Sequence, residues 1–462
     1  MRIAILEMLR IILAVFACKV TRFALRVLGR GGTALPGKAA VKICPDLLKH
    51  LAKGVICAAI TGTNGKTTSS RMLEQFFIDS GASYVSNKSG SNLMQGITAE
   101  FALIATATGK PKQQYAIIEC DEAASKKVFE YMNPAVILVT NVFDDQLDRF
   151  GDISVTLDNI KTGVKNSPNA IVCLNADDSL ISSIADEVIN DVIYFGVDSG
   201  VLEDHADENS DALKCFRCET AYEYDYVTYG HLGGFRCPSC GYARSIPDVA
   251  ATGLIAQGAD SQTIRLRAFG KTAEVTINIP GEYNIYNAVG TIAAATAMGF
   301  SVEAAADAMQ RFERGFGRME TIELNSLPVR TILVKNPVGC NQALNYLCGL
   351  SGDALLALCL NDHIADGTDV SWIWDVRFEK LAGMGERLRS VFISGTRAGD
   401  MAQRLKLAGF PQDRTRIFID QGDMLSAALD QDAPVYIMPT YTAMLDIRDR
   451  LRREYGLKNF WE

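Results

Sequence analysis

The stretch Ile60-Thr61-Gly62-Thr63-Asn64-Gly65-Lys66-Thr67-Thr68 decides the fold. Before it, residues 55–60 form an unbroken apolar run, as expected of a strand buried on both faces. After it, residues 67–77 carry the periodicity of a helix. The loop between them holds two glycines, a lysine and hydroxyl residues. In such a strand–loop–helix unit, backbone N–H groups and a helix N-terminus hold phosphate. Gly62, Thr63, Asn64, Gly65 and Thr68 are therefore read as the cradle. Lys66 is placed to reach the terminal phosphates of a nucleoside triphosphate, and the Thr67 hydroxyl to ligate Mg²⁺. Ile60 stands where the strict G-x-x-x-x-G-K-[ST] pattern has its first glycine. The flanking strand and helix, not the pattern alone, thus separate this reading from an ordinary Gly-Lys-Thr turn.

Downstream, apolar runs at 115–120, 135–140, 170–174 and 192–195 alternate with helical patterns. That alternation predicts an α/β domain with a largely parallel sheet. Two of the predicted strands end in acids: Glu119-Cys120-Asp121-Glu122, and the segment 141–148 with Asp144, Asp145 and Asp148. Open α/β sheets gather ligands at the carboxyl ends of their strands, and Mg²⁺ takes carboxylate, hydroxyl and phosphate oxygens. Glu119 is accordingly read as the Mg²⁺ ligand beside Thr67. The second cluster stays open between metal ligation and helix capping. Residues 87–92 form a polar loop able to approach phosphate or substrate. From about Thr321 the βα alternation begins again, with strands predicted at 331–334, 354–359, 390–394, 415–419 and 435–438. The organisation expected is a lead-in over 1–50, a central ATP-binding domain over 51–316 and a second, Rossmann-like α/β domain over 317–462.

A chain of 462 residues has room for two or three domains with substantial cores. Its net charge of −8 disfavours a nucleic-acid partner. Twelve cysteines in so long a chain do not make a disulfide scaffold, and several lie in core-like apolar runs. Reduced thiols in the cytoplasm are the simpler reading. Cys215-x-x-Cys218 and Cys237-x-x-Cys240, with eighteen residues between the pairs, are different. Four thiolates at that spacing can surround Zn²⁺ tetrahedrally, and a closed four-cysteine site is structural. A zinc-ribbon insertion over about 205–245 is expected. Residues 1–30 are rich in Ile, Leu, Val and Phe, but the uncharged run 11–18 is far short of the ~20 residues a span needs. Lys19, Arg22, Arg26 and Arg30 share one face of an amphipathic helix. Its apolar stripe is read as core-facing, with rest on a membrane surface as the alternative.

Taken together, Thr61-Gly62-Thr63-Asn64-Gly65-Lys66-Thr67, Gly281-x-Tyr283-Asn284-x-x-Asn287 and Gly317-Arg318-Met319-Glu320 resemble the Mur ligases in order and spacing. Those enzymes join an amine to a carboxylate through an acyl phosphate. Lys335-Asn336-Pro337-Val338-Gly339, the stretch 361–375 beginning Asn361-Asp362-His363-Ile364-Ala365-Asp366, the four-cysteine insert and residues 29–37 are similar to the MurT subfamily. The resemblance covers essentially the whole chain. It implies ATP-dependent amidation of the D-glutamate α-carboxylate of the lipid II stem peptide, with ammonia supplied by a GatD-type glutaminase partner. It also implies a cytoplasmic location and a substrate at the membrane surface. By the same resemblance Asn284 and Asn287 approach the nucleotide base, and Arg318 approaches the phosphates. Asp362 reaches the partner's glutaminase site, with Asp366 as the other candidate. The chain departs from the amino-acid-adding Mur ligases. Gln146 stands where they have a histidine, and the aspartate and histidine that precede their Asn-Pro are missing before Asn336-Pro337.

Independently of any resemblance, a carboxylate needs activation before it can form an amide near neutral pH. Phosphoryl transfer followed by displacement reduces catalysis to positioning and charge neutralisation. The four histidines (50, 205, 231, 363) sit near no cysteine in a nucleophile motif, so the chain offers few means of making ammonia and an outside glutaminase is the chemically sensible source. A Mur-type ligase adding an amino acid is the alternative enzyme. A zinc-ribbon ATP-binding adaptor has no use for Lys66, Thr67, Glu119 and Arg318 together. A nucleic-acid-dependent ATPase conflicts with the charge.

Overall fold

The computed structural model describes residues 2–28, 32, 34–87, 91–143, 153–202, 214–258, 260–312, 318–324 and 327–456, with the backbone alone for residues 2–5, 318 and 320. The acids at 144–148, the start of the cysteine-rich insert before Lys214 and the Arg318 side chain fall outside that description.

Nine strands make one sheet: β1 (Ile56–Thr61), β2 (Tyr84–Ser86), β3 (Tyr115–Glu119), β4 (Val136–Val139), β5 (Ile171–Asn175), β6 (Val192–Val197), β9 (Val249–Gln257), β10 (Gln262–Ala268) and β11 (Lys271–Ile277). Their order is β11-β10-β9-β6-β5-β4-β1-β3-β2. Pairing is parallel from β2 to β9, and β10 and β11 extend the sheet as an antiparallel hairpin. The insert's hairpin, β7 (Glu223–Tyr229) and β8 (Leu232–Arg236), stands apart as a two-stranded sheet. A second sheet of six strands takes β12 (Arg318–Leu324), β13 (Leu327–Ile332), β14 (Ala354–Cys359), β15 (Leu388–Ser394), β16 (Thr415–Ile417) and β17 (Val435–Pro439) in the order β12-β13-β17-β14-β15-β16. Only the β12–β13 hairpin in it is antiparallel.

The continuous apolar runs follow from burial on both faces. In β1, Ala58 and Ile60 join the core under the helix α4 (Lys66–Ser80), whereas Cys57 and Ala59 join the core on the opposite face. The second sheet divides in the same way. Leu356 and Leu358 share the large core with α4, and Leu355 and Ala357 face a separate cluster. Both predicted α/β units therefore form, with strand ends within two or three residues of expectation except for β13, which starts earlier. The short strand β2 and the strands β9 and β12 have no counterpart in the sequence reading.

Four further helices precede or flank the loop: α1 (Arg2–Val27), α2 (Ala34–Ile43), α3 (Leu47–Leu51) and α5 (Met94–Ile104). The expected core-facing stripe of α1 exists. Ile11, Ala14, Val15 and Cys18 are buried in the core that α3 and α5 share. Basic side chains of α1 act as caps on its neighbours' C-termini. Arg10 donates to the Ile43 carbonyl at 3.2 Å, and Lys19 to the Ala105 carbonyl at 2.6 Å.

Candidate nucleotide and metal site

Strand register builds the site. β1 pairs with β3 so that Ile60 lies beside Glu119, and with β4 so that Thr61 lies beside Val139. The carboxyl ends of three adjacent strands therefore deliver Gly62, Glu119 and Thr140 to one place, as the sheet rule anticipates. Two glycines are required there. Gly62 has φ of 120°, and a Cβ on it would sit 2.4 Å from the Thr140 hydroxyl. Gly65 has φ of 86°, and a Cβ on it would meet the Asn287 side-chain oxygen at 2.0 Å.

The loop is held by β4's exit. Thr63 N donates to the Asn141 carbonyl at 2.8 Å and Asn64 N to the Asn141 side chain at 2.9 Å. The Thr140 hydroxyl donates to the Asn64 carbonyl at 2.7 Å. Phe143 N donates to the Thr63 hydroxyl at 3.0 Å. The second sheet also contributes. Lys335 Nζ lies 3.4 Å from the Thr63 carbonyl, and Asn336 Nδ2 lies 3.2 Å from Asn64 Oδ1. Asn336 at the same time caps the helix Pro337–Cys348 by accepting from Gly339 N.

The acids after β3 divide three ways. Glu119 Oε2 accepts from the Thr67 hydroxyl at 2.7 Å. Asp121 caps α6 (Glu122–Met132), accepting from Ala123 N and Ala124 N. Burial, then the adjacent Glu122 carboxylate, push the Asp121 carboxyl up from its ordinary value. Glu122 pairs with Lys66 Nζ at 2.6 Å, both side chains about a tenth exposed. Lys66 donates in addition to the Gly62 and Thr63 carbonyls. The structure places Lys66, Thr67 and Glu119, the residues singled out in the sequence, at one end of the loop. The sequence reading named the segments that hold Glu122, Asn141, Lys335 and Asn336 without giving these residues a part at the loop, and it gave Thr140 none beyond its place in a predicted strand. Asn287 packs against Gly65, while Asn284 is fully buried and donates to the Pro280 carbonyl at 2.6 Å.

A hydroxyl and a carboxylate side by side at a phosphate loop are hard oxygen donors of the kind Mg²⁺ takes. The thiols offer the soft counterpart. Cys215, Cys218, Cys237 and Cys240 place their sulfurs within 4.8 Å of one another, with Cys215–Cys240 at 3.5 Å and Cys218–Cys237 at 3.4 Å. Four sulfurs about 2.3 Å from one ion stand at such separations, so the set fits tetrahedral Zn²⁺. Elsewhere, burial pushes the thiols of Cys340 and Cys359 up to about 12, which keeps them protonated.

The cysteine-rich hairpin also touches the loop's support. Its turn packs on Phe143, with the Tyr229 ring stacked at 5.7 Å and the His231 ring at 4.8 Å. His231 lies 3.3 Å from Asp178, whose other oxygen accepts from Val142 N. Further out, Arg244 donates to the buried Asp177 at 2.6 Å, and Asp177 also accepts from the Tyr286 hydroxyl. The hairpin is thus fastened to the residues that follow β4 and, through Phe143, to Thr63.

In the second sheet, Asp362 follows β14. It accepts from the Thr396 hydroxyl at 2.8 Å and from Arg397 at 3.3 Å, and remains about one-third exposed. The Thr396 hydrogen bond first, then Arg397, holds its carboxyl below the usual range. Asp366 is buried and accepts from the Thr442 backbone at 2.7 Å and hydroxyl at 2.6 Å. The two aspartates of one motif therefore face different surroundings.

Residues 60–295 match the family described as Mur ligase middle domain, and residues 333–444 the one described as MurT ligase C-terminal. The chain is 33% identical over 446 residues to the lipid II isoglutaminyl synthase (glutamine-hydrolyzing) subunit MurT of Streptococcus pneumoniae, which spans 96% of this chain and 97% of that one. The subunit of the same name from Staphylococcus aureus is 30% identical over 446 residues, 96% of this chain and 98% of that one. Among solved structures, MurF from Acinetobacter baumannii superposes with a TM-score of 0.65 at 16% identity, over 91% of this chain and 81% of that one. Folylpolyglutamate synthase from Mycobacterium tuberculosis complexed with ADP superposes with a TM-score of 0.62 at 14% identity, over 96% and 99%. At those identities the two structures share the fold.

Proposed function

This chain belongs to the MurT family of Mur ligases, and from that premise we propose that it is the synthetase subunit of a lipid II isoglutaminyl synthase. It is a ligase that amidates a peptidoglycan precursor. The observation that carries the reading is the phosphate loop whose Lys66 and Thr67 face the carboxylates of Glu122 and Glu119, in a chain matched along its length by MurT subunits. ATP is the co-substrate. A carboxylate oxygen of the D-glutamate residue attacks the γ-phosphorus, the bond to the β–γ bridging oxygen breaks, and ADP leaves. Ammonia then attacks the acyl carbon, loses a proton, and inorganic phosphate departs with the former carboxylate oxygen.

In this scheme Gly62, Thr63, Asn64, Gly65 and Thr68 cradle the phosphates, with Asn284, Asn287 and Arg318 as further nucleotide-side residues. Lys66 neutralises developing charge on the transferring group. Thr67 and Glu119 would hold Mg²⁺, which supplies further charge neutralisation when bound. The ammonia comes from a GatD-type glutaminase subunit at the Asp362 surface. Mass spectrometry of lipid II incubated with ATP, glutamine and such a partner tests the reading, which expects the mass change of replacing OH by NH₂. A product heavier by an amino-acid residue would overturn it in favour of an amino-acid-adding ligase.

Two further outcomes follow from the site. Glu119→Ala is expected to raise the Mg²⁺ concentration for half-maximal activity by roughly ten- to a hundredfold, since a charge-assisted contact contributes about 1.5–3 kcal/mol. An unchanged Mg²⁺ titration would reassign Glu119 to orienting Thr67. Cys237→Ser leaves three thiolates for the proposed Zn²⁺, and structural zinc contributes directly to folding. Elemental analysis should then show the loss of about one zinc per chain, together with a lower melting temperature. Because the hairpin's turn rests on Phe143, the apparent KM for ATP should rise as well. Full zinc content and an unchanged melt would contradict the assignment.

A further inference from the structure

The core-facing stripe accounts for one side of α1. On the opposite side Leu9, Leu13, Phe16, Val20, Phe23 and Val27 are between 47 and 70% exposed. They recur at alternating steps of four and three residues, so they lie in one row. The helix is apolar on two faces, and nothing among the described residues covers the second. A contiguous apolar surface of that kind marks an interaction site.

The charges around it say what kind. From Met8 to Pro45 the sequence has seven Lys and Arg and no Asp or Glu, in a chain whose net charge is −8. Arg26 of α1 is exposed, and so are Lys38 and Lys42 of α2. Lys38 and Lys42 share an α2 face with Leu35, itself 55% exposed. The one strongly basic segment of an acidic protein therefore coincides with its exposed apolar helix. Met8 and Leu28 are also exposed and broaden the row beyond the narrow seam of a coiled coil. No helix among the described residues is long and apolar enough to cross a membrane.

We infer that α1 lies in the interface of an anionic lipid bilayer. Its Leu/Phe/Val row enters the acyl boundary while Arg26, Lys38 and Lys42 engage headgroup phosphates. The helix is held for this from below. Its buried stripe and the Arg10 and Lys19 caps fix it to α2 and α5, so little ordering remains when lipid binds. The inference goes beyond the amidation reading and is read out without turnover.

The test is flotation of the full chain with vesicles of phosphatidylglycerol and phosphatidylcholine, and with phosphatidylcholine alone. The chain is expected to float with the anionic vesicles and to remain at the bottom with neutral ones. Phe16→Asp with Phe23→Asp should abolish flotation while leaving the melting temperature and amidation of a detergent-solubilised substrate unchanged. Lys38→Glu with Lys42→Glu should weaken vesicle binding by about tenfold or more, since each basic residue near an anionic surface contributes roughly fivefold. Failure of the parent chain to float, or equal flotation of the Phe16/Phe23 variant, overturns the inference. So does a dimer in sedimentation velocity that this variant dissolves, which would assign the face to a second copy of the chain.

Discussion

Lys66→Ala is expected to lower amidation by about 10²–10³-fold at saturating ATP and partner, the usual cost of removing one preorganised donor aimed at developing charge. The structure adds a consequence for stability. Lys66 Nζ sits 2.6 Å from Glu122, and that carboxylate is only 9% exposed. Removing one member of a largely buried ion pair leaves the other uncompensated, a loss of up to about 3–5 kcal/mol if the carboxylate stays charged. The alanine variant should therefore melt below the parent, and lost activity alone does not separate chemistry from folding. Adding Glu122→Gln does separate them, because a neutral amide tolerates the site without the ammonium. The double variant should recover most of the melting temperature and none of the turnover. Normal turnover in Lys66→Ala would remove the loop from the mechanism altogether.

The same pair bears on nucleotide binding. In the structure Lys66 is engaged by Glu122 and by carbonyls of its own loop, so in the proposed scheme a γ-phosphate would have to draw it away from those partners. On the proposed scheme Glu122 would set how readily the lysine is released, a part the loop motif alone does not assign to it.

What could be read from the sequence, and what could not, divides by the range of the interactions. Parallel strands buried on both faces must be apolar at every position, so β1, β3, β4, β5 and β14 stand out as runs. Strand β9 begins Val249-Ala250-Ala251-Thr252-Gly253, where two alanines and a glycine dilute the strand preference of Val249 and Thr252, and its place beside β6 is fixed by tertiary pairing. Thr67 and Glu119 pair in the sequence reading because a hydroxyl and a carboxylate are both oxygen donors of the kind Mg²⁺ takes. The Lys66–Glu122 contact spans 56 positions and the Asn64–Asn336 contact 272, and neither leaves a local trace. Cysteine spacing revealed a four-thiol cluster, because ligand geometry constrains the chain within a few residues. The seat of the hairpin on Phe143 is a matter of ring packing, and spacing is silent about it. In α1, periodicity told of a buried face, but only the folded neighbours show that the opposite apolar face is left open.

Asp362→Asn is expected to suppress glutamine-dependent amidation strongly while activity with added ammonia survives. A cysteine–histidine glutaminase needs a third group to hold its imidazole in the productive tautomer and to stabilise the imidazolium. Asp362 is suited to supply it across the proposed interface. It follows β14 at the carboxyl end of the second sheet, it remains about one-third exposed, and Thr396 and Arg397 keep it ionised. Its neighbours His363 and Ile364 are exposed as well, so the turn presents itself outward. Asp366, the other candidate in the motif, has both oxygens engaged by Thr442 inside the fold. Asp366→Asn should therefore cost stability, about 1–3 kcal/mol for a buried acceptor set disturbed, and affect both nitrogen sources alike through the fraction folded. Asp362→Asn keeps the size and the Thr396 contact but removes the charge, so its melt should stay near that of the parent. Parallel assays with glutamine and with ammonium salt in both variants decide between them. Equal loss with both sources in Asp362→Asn would place that carboxylate in the ligase chemistry, and a selective loss in Asp366→Asn would exchange the two roles.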